Sequence, residues 1–515
     1  MQEERTKNAA RNIIFSVILK FYQIVVPFLM RTAIIYIMGI QYLGLNSLFT
    51  SILQVLNLAE LGVGSAMVYS MYKPLAEDDK TTVCALMKLY RTYYRIIGAV
   101  IALMGLTLTP FINVIVSGKI PSAVNLYILY LLNLFATVLS YWLFAYKGAV
   151  LQASQRNDIV SKVTLLTNTF QYGVQLFVLW RFHNYYLYVI VSLFTQILTN
   201  IITAFCANKM YPQFVAQGNV GKIDRIEINR KIRDLFTAKL GTVIVGSVDT
   251  LVISYFLGLT TLAIYQNYYF IMNSIYGIII ALFTSITASI GNSLVIESME
   301  KNYQDLEKFT FLSMWMITVC VCCFSVLYQP FMKLWVGEKF LLDYSFVILF
   351  CIYFFVLVLA MVWATVKDAA GLWRKDRFRP LIGAVVNLAL NLTFVRYIGL
   401  YGIILSTIVS YLFVSMPWLI HNLFHYLYKR RMKFYVKRLG LYTLVCALSC
   451  IITIELCHWI SVTGFIALLI YGIIAVVVSC GIQLLVYHKF PEFKSSKKLI
   501  EKMMKRGNFT NGKIM

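Results

Sequence analysis

Fourteen long apolar segments follow one another through this chain, separated by polar turns whose basic residues favour every second turn. Each holds about 20 or more mostly apolar residues, enough to cross a hydrocarbon layer of ~30 Å at ~1.5 Å per helical residue. A soluble core cannot use that much apolar sequence in that order. The expected fold is therefore an all-α polytopic membrane protein of about 14 transmembrane helices. The segments run over 12–39, 46–72, 84–113, 122–147, 158–180, 186–207, 235–257, 262–295, 308–330, 343–367, 378–396, 401–424, 437–459 and 463–488. Charged residues make up 13% of the 515, against roughly 25% in soluble domains.

Basic residues set the orientation. Of 46 Lys and Arg, 39 fall on the side that carries the N-terminus: Arg5, Lys7 and Arg11, then groups within 73–95, 147–162, 209–239, 301–308, 367–379, 429–438 and 489–513. The opposite turns hold Lys119, Arg181, Lys333, Lys339 and Arg396, while Lys20 and Arg31 lie inside the first segment. The positive-inside rule makes both termini cytoplasmic. It also explains the net charge of +24 without nucleic acid, which is not an expected partner. The first apolar run is longer than the ~7–15 residues of a signal-peptide core, so it is expected to stay as a span. Most of the ten cysteines fall within spans. Cys320, Cys322 and Cys323 read as small packing residues, because no paired zinc-type spacing accompanies them.

Two polar interruptions parse the chain. Residues 1–207 form an N-lobe of six spans, 208–234 a cytoplasmic linker between lobes, 235–424 a C-lobe of six spans, 425–488 two further spans, and 489–515 a basic cytoplasmic tail. The two sixes resemble each other at an offset of 219 residues. Tyr36-Ile37-Met38-Gly39 leading to Leu43-Gly44-Leu45 matches Tyr255-Phe256-Leu257-Gly258 leading to Leu262-Ala263-Ile264, and Asn168 maps to Asn387. An even number of spans per half gives parallel repeats about an axis along the membrane normal, with a substrate path between them.

Function in such a chain lies with the polar groups that enter the bilayer, because ionisable residues there are costly and face a cavity or a partner. Lys20 and Arg31 are 11 residues apart, about three helical turns, so they share a face some 16 Å apart along the axis. Gln23 and Pro27 fall near the same side, and Pro27 is expected to bend the helix. These residues, with Asn57 and Glu60 in the second span, are the substrate-binding candidates; snorkelling of the two cations toward opposite surfaces is the plainer alternative. Gly62 and Gly64 would admit close helix packing. In span seven, Asp249 stands two turns from Thr242 and corresponds to Met30 under the repeat offset. Asp249 and Glu60 are candidates either for a structural counter-charge or for coupling to a proton or sodium gradient. Lys88, Arg91 and Arg95 share one face at the start of span three. They read as a helix lying at the headgroups or as a cytoplasmic vestibule that attracts an anionic headgroup. Lys367 and Asp368 form a local pair.

No catalytic constellation or metal site is expected. His421 and His425 lie one turn apart without a third ligand nearby, and Gly218-Asn219-Val220-Gly221-Lys222 lacks P-loop spacing. No cofactor is expected.

At these residues the chain resembles the polysaccharide repeat-unit flippases of the MOP (multidrug/oligosaccharidyl-lipid/polysaccharide) exporter superfamily. Arg11-Asn12 opening a charged first span, Tyr42-Leu43-Gly44-Leu45, and Leu58-Ala59-Glu60-Leu61-Gly62-Val63-Gly64 are similar to the family's first two spans. Asp249-Thr250 followed by Gly258 resembles its seventh. Asn387 to Asn391 followed by Gly399-Leu400-Tyr401-Gly402 resembles its eleventh-to-twelfth turn. The resemblance implies two six-helix lobes in a V with two added helices. It further implies movement of an undecaprenyl-diphosphate-linked oligosaccharide from the inner to the outer leaflet of a bacterial cytoplasmic membrane. Lys20 and Arg31 would meet the diphosphate or acidic sugars, and Asn57 and Gln23 would hydrogen-bond hydroxyls. Membrane lipids, a polysaccharide polymerase and glycosyltransferases are the implied partners. An ion-coupled exporter of drugs or organic cations from the same superfamily is the first alternative. A membrane glycan polymerase or ligase is the second, although the chain lacks the large outer loop or catalytic cluster such an enzyme needs. A polytopic scaffold or receptor is the least economical reading of the buried charges.

Overall fold

Helices supply all the regular structure among the described residues, as an apolar solvent demands: each backbone donor and acceptor must be satisfied within its own segment. The computed structural model describes residues 2–117, 120–460 and 462–497, and the side chains of all of these except 2–14, 17, 223, 238 and 242. Lys119, the side chains of Arg5, Lys7, Arg11, Asn12 and Thr242, and the tail beyond 497 thus lie outside the described residues.

The principal helices are α1 (Gln2–Ile37), α2 (Ile40–Leu56), α3 (Val63–Ala76), α4 (Lys80–Leu108), α5 (Leu126–Trp142), α6 (Gly148–Ala153), α7 (Asn157–Phe182), α8 (Tyr185–Met210) and α9 (Lys222–Ile296). They continue with α10 (Met299–Val336), α11 (Tyr344–Ala369), α12 (Arg379–Ile398), α13 (Leu400–Leu427), α14 (Lys433–His458) and α15 (Gly464–Tyr487). Among the described residues, 11 helices are long and apolar enough to cross a membrane, or 12 if α5 and α6, bent by 46°, form one span. The long α9 contains both expected segments 235–257 and 262–295, and α7 occupies the expected segment 158–180. The chain is an all-α polytopic membrane protein.

Contacts divide the chain into two units, Met1–Gln266 and Asn267–Met515. The polar segment 208–234 is already helical from Lys222 onward. Pro27 sits inside α1, which continues past it as one helix.

The repeated tetrapeptide has one backbone role. Gly39 takes φ 108°, ψ 156° before α2, and Gly258, 219 residues later, takes φ 83°, ψ 172° within α9. Glycine alone occupies that region without strain. Substituting Gly39 isolates the backbone effect, since an added Cβ would meet nothing within 4 Å. Gly39→Ala is expected to destabilise the first unit by about 1–3 kcal/mol, read as a lower unfolding midpoint in detergent. An unchanged midpoint would show that the turn relaxes freely.

In the first unit, one stretch of α9 is stitched to its neighbours. The Ser117 amide donates to the Ser254 carbonyl at 3.1 Å and the Ser254 hydroxyl to the Ile115 carbonyl at 3.1 Å. The Ser117 hydroxyl donates to the Tyr255 carbonyl. Gly44 of α2 lies so close to the Leu259 backbone that a Cβ there would overlap its carbonyl oxygen. At the start of α4, Asp79 caps the helix, accepting from the Thr81 hydroxyl at 2.6 Å and the Thr82 amide at 3.0 Å. The Thr81 hydroxyl, then the Thr82 contacts, hold its carboxyl down at about 2. Because the folded value is depressed, the cap's contribution is complete above the ordinary carboxylate value near ~4 and disappears as pH falls through about 2. Protection of the Thr82 amide, taken as its exchange rate relative to that of an unstructured peptide at the same pH, is expected to fall over that window and to stay level between there and neutrality.

In the second unit, α10 is the hub. Tyr435 of α14 accepts from Trp363 Nε1 of α11 at 2.7 Å and shares a 2.7 Å hydrogen bond with Thr310 of α10. Cys322, Cys323, Cys450 and Cys457 pack with Val326, Leu327, Ile454 and Ala475 in an apolar cluster. The Asn387–Asn391 stretch is an interhelical polar seam. Asn391 donates to Asn387 at 3.3 Å, which donates to Thr407 of α13 at 3.0 Å. Gly402 lies close enough to α12 that a Cβ would meet the Phe394 backbone at 2.6 Å. Small residues and short polar side chains are how helices approach closely in lipid.

Candidate functional site

The second span was expected to be one helix over 46–72; it is broken at its polar centre. α2 ends at Leu56, a tight turn covers Asn57–Glu60, Gly62 takes φ 87°, and α3 starts at Val63. Gly62 is required twice over, by its left-handed backbone and by the approach of Leu235, whose Cβ would lie 2.7 Å from an added Cβ. The expected span 122–147 breaks too, after Trp142, where Phe144 takes φ 58°. Interrupted helices of this kind persist at membrane depth only where protein or a water-filled cavity receives the freed backbone groups.

Such a cavity lies between the two breaks and α4. It encloses about 520 Å³ and is lined by Glu60, Tyr69, Tyr72, Tyr90, Tyr94 and Gln152, among others. Tyr94 donates to Glu60 Oε1 at 3.0 Å, Tyr90 donates to the Tyr94 hydroxyl at 2.6 Å, and the Tyr141 ring meets Tyr94 edge-on at 5.3 Å. Glu60 also stands just ahead of the N-terminus of α3, where the helix dipole favours a negative charge. Lys239 of α9 donates to Ser65 beside the cavity at 3.3 Å. Gln152, on α6, brings an amide from the second broken span.

Of the substrate, coupling and vestibule candidates named from sequence, Glu60 lines this cavity, joined by Gly64, which was read as a packing glycine. Asn57, in the same turn, has its Oδ1 buried without a hydrogen-bond partner among the described residues. Lys20 and Gln23 are exposed on α1 and Arg31 is half-buried. Asp249, on α9, is buried at 6% exposure. Of the vestibule candidates, Lys88 is tied to the 208–234 segment. Lys88 donates to Asn219 at 3.1 Å, and Tyr93, on the same helix, donates to Asn229 at 2.6 Å; Arg91 is half-buried and Arg95 exposed. The tyrosines that hold Glu60, Tyr90 and Tyr94, were missed because they alternate with Lys88, Arg91 and Arg95 on a stretch that reads as a headgroup-level helix or vestibule. The available signal was depth: Tyr94 lies 14 residues into a helix that begins at Lys80, about 20 Å of rise.

A solved structure of the lipid II flippase MurJ, in an inward closed conformation, matches with a TM-score of 0.63 at 15% identity, covering 92% of this chain and 99% of that one. An inward-facing multidrug resistance MATE family transporter of the MOP superfamily matches at 0.60 and 14% identity, over 78% of this chain and 96% of that one. This chain has the MOP-transporter fold. A MATE transporter from Vibrio cholerae agrees at 0.52 and 13% identity, covering 83% and 99%. No family model and no curated protein matches the sequence. The MOP fold accounts for the breadth of these matches at such low identity, since the order and length of spans carry it rather than particular side chains.

Proposed function

We propose that this protein is a flippase that carries a lipid-linked oligosaccharide, with an undecaprenyl-diphosphate anchor, across a bacterial cytoplasmic membrane by alternating access, both termini being cytoplasmic. The observation that carries this reading is the match to a lipid II flippase over 92% of the chain, joined to two cations, Lys20 and Arg31, on one span. A diphosphate needs a positive path, whereas the lipid tail can remain in the bilayer. Gln23 and Asn57 would serve sugar hydroxyls. Asp249 and Glu60 would serve as counter-charges or as sites for a coupling proton or sodium ion, and no cofactor is needed. Lys88, Arg91 and Arg95 would attract the anionic headgroup at a vestibule. A polymerase and glycosyltransferases would act before and after transport, and this chain would itself perform no covalent chemistry. The test is export: cells with substitutions at Lys20 and Arg31 should lose surface polysaccharide at normal protein level while lipid-linked units accumulate inside. Unchanged export would refute the reading.

The second reading is an ion-coupled exporter of organic cations, favoured by the carboxylate and tyrosines of the cavity and by the MATE matches. Drug efflux from vesicles under an imposed proton gradient separates the two.

A further inference from the structure

The cavity at Glu60 has the wrong chemistry for a diphosphate. No Lys or Arg lines it, although the chain as a whole carries 46 of them. Its lining offers one carboxylate, four tyrosine rings, the Gln152 amide and the Ser65 hydroxyl. Among the described residues no cation reaches Glu60 within ion-pair distance; the Tyr94 hydroxyl donates to it at 3.0 Å, and Lys239 acts on its charge from farther away. A structural carboxylate needs only its helix N-terminus and Tyr94, yet here about 520 Å³ of space stands in front of it, within the size range of small-molecule sites. Carboxylate plus aromatic faces is the chemistry that recognises an ammonium group, through charge-assisted hydrogen bonds and the ring quadrupole. The protein already uses one of these rings so: Lys231 Nζ sits 4.8 Å above Tyr69.

We propose that this cavity binds a protonated amine borne on a compact polar body, with Glu60 as the counter-ion and the tyrosines as walls. The inference rests on the transport reading above and names a group on the cargo. Its source is either an amino sugar within a lipid-linked glycan or a free organic cation. Lys239, held at Ser65, is then an opposing charge at the site rather than a ligand-binding one.

The protein in lipid nanodiscs is titrated calorimetrically at a pH where amines are protonated, with a glucosamine trimer, its fully N-acetylated form and ethanolamine. The amine trimer should bind at least about tenfold more tightly than the acetylated trimer, and Glu60→Gln should remove about that factor, the scale of a lost charge-assisted contact. Lys239→Gln should strengthen amine binding severalfold; it lies on a different helix and keeps the test decisive should Glu60→Gln misfold. Preference for the glucosamine trimer over ethanolamine assigns a glycan source, and the reverse assigns a free organic cation. Equal binding of the two trimers, an inert Glu60→Gln, or weaker binding in Lys239→Gln would overturn the proposal. Amine binding that survives while Lys20 and Arg31 prove dispensable for export would sink the flippase reading alone. Intact dependence on those cations without amine binding would sink this one alone.

Discussion

Asp376→Ala is expected to destabilise the second unit by about 3–5 kcal/mol, the usual consequence of removing one member of a buried ion-pair network. Asp376 receives a two-pronged contact from Arg379, at 2.7 and 2.9 Å, and Lys367 at 3.1 Å. The side chains of Lys367 and Asp376 are 8% and 4% exposed, and that of Arg379 15%. Without the carboxylate, two cations face each other in a shielded place with no anion between them except Asp368, which holds Lys367 at 2.5 Å but is itself 46% exposed. Asp368→Ala is therefore expected to cost under about 1 kcal/mol. The measurement is the unfolding midpoint of both variants in detergent. A double change, Lys367→Met with Asp376→Leu, should recover much of the loss, because well-packed apolar groups often replace a buried pair at little cost. If Asp376→Ala proves as mild as Asp368→Ala, the network is hydrated and the burial argument fails.

This network shows how far the sequence can be read. Lys367 beside Asp368 is legible as a pair, because neighbours in sequence are neighbours in space. Asp376 is not, because it reaches Lys367 only after the chain turns through Gly371 at φ 67°. The first unit carries a counterpart: Asp158, fully buried, accepts from Arg156 at 2.9 Å and is paired with Lys162 at 3.4 Å. Asp158 and Asp376 are 218 residues apart, one short of the offset set by Gly39 and Gly258. The internal repeat is therefore better supported by the glycine geometry and by these charged turns than by identity along the spans. Apolar positions are interchangeable in lipid, and they erase their own history.

The same logic explains what was readable of the candidate site. The all-α class and the succession of apolar segments follow from hydropathy, which the bilayer enforces residue by residue. The count does not, 14 expected segments standing against 11 or 12 candidate spans among the described residues. The breaks at Gly62 and Phe144 do not, because a positive φ leaves no mark on hydropathy and Phe144 is not even a glycine. Gly62 and Gly64 were read as packing glycines. Both do admit a close neighbour, Leu235 and the Tyr90 hydroxyl respectively, but the first also turns the chain. Glu60 was visible as a charge in an apolar run. Its partners were not, because Tyr94 lies 34 residues away across a contact that only the folded chain makes.

On the proposed flippase reading, Lys20→Ala and Arg31→Ala are each expected to lower export of a lipid-linked glycan about tenfold to a hundredfold. A charge-assisted hydrogen bond contributes roughly 1.5–3 kcal/mol, and about 1.4 kcal/mol is one decade. The two positions should differ in what they tolerate. Lys20 is exposed on α1 and Arg31 half-buried. An exposed ammonium acts as a point charge, so Lys20→Arg should retain most of the activity. A guanidinium offers a planar fork that matches a phosphate with two parallel bonds, which an ammonium cannot reproduce. Arg31→Lys should therefore keep the charge and still lose a large part of the rate. Surface polysaccharide per unit of membrane-inserted protein is the readout, with lipid-linked units accumulating inside as the second. A structural role for Arg31 would instead lower the amount of inserted protein and leave the activity of what remains unchanged. If Lys20→Ala, Arg31→Ala and the double change all export normally, the first span does not line the path. The flippase reading, which rests on that positive path for a diphosphate, would then fall.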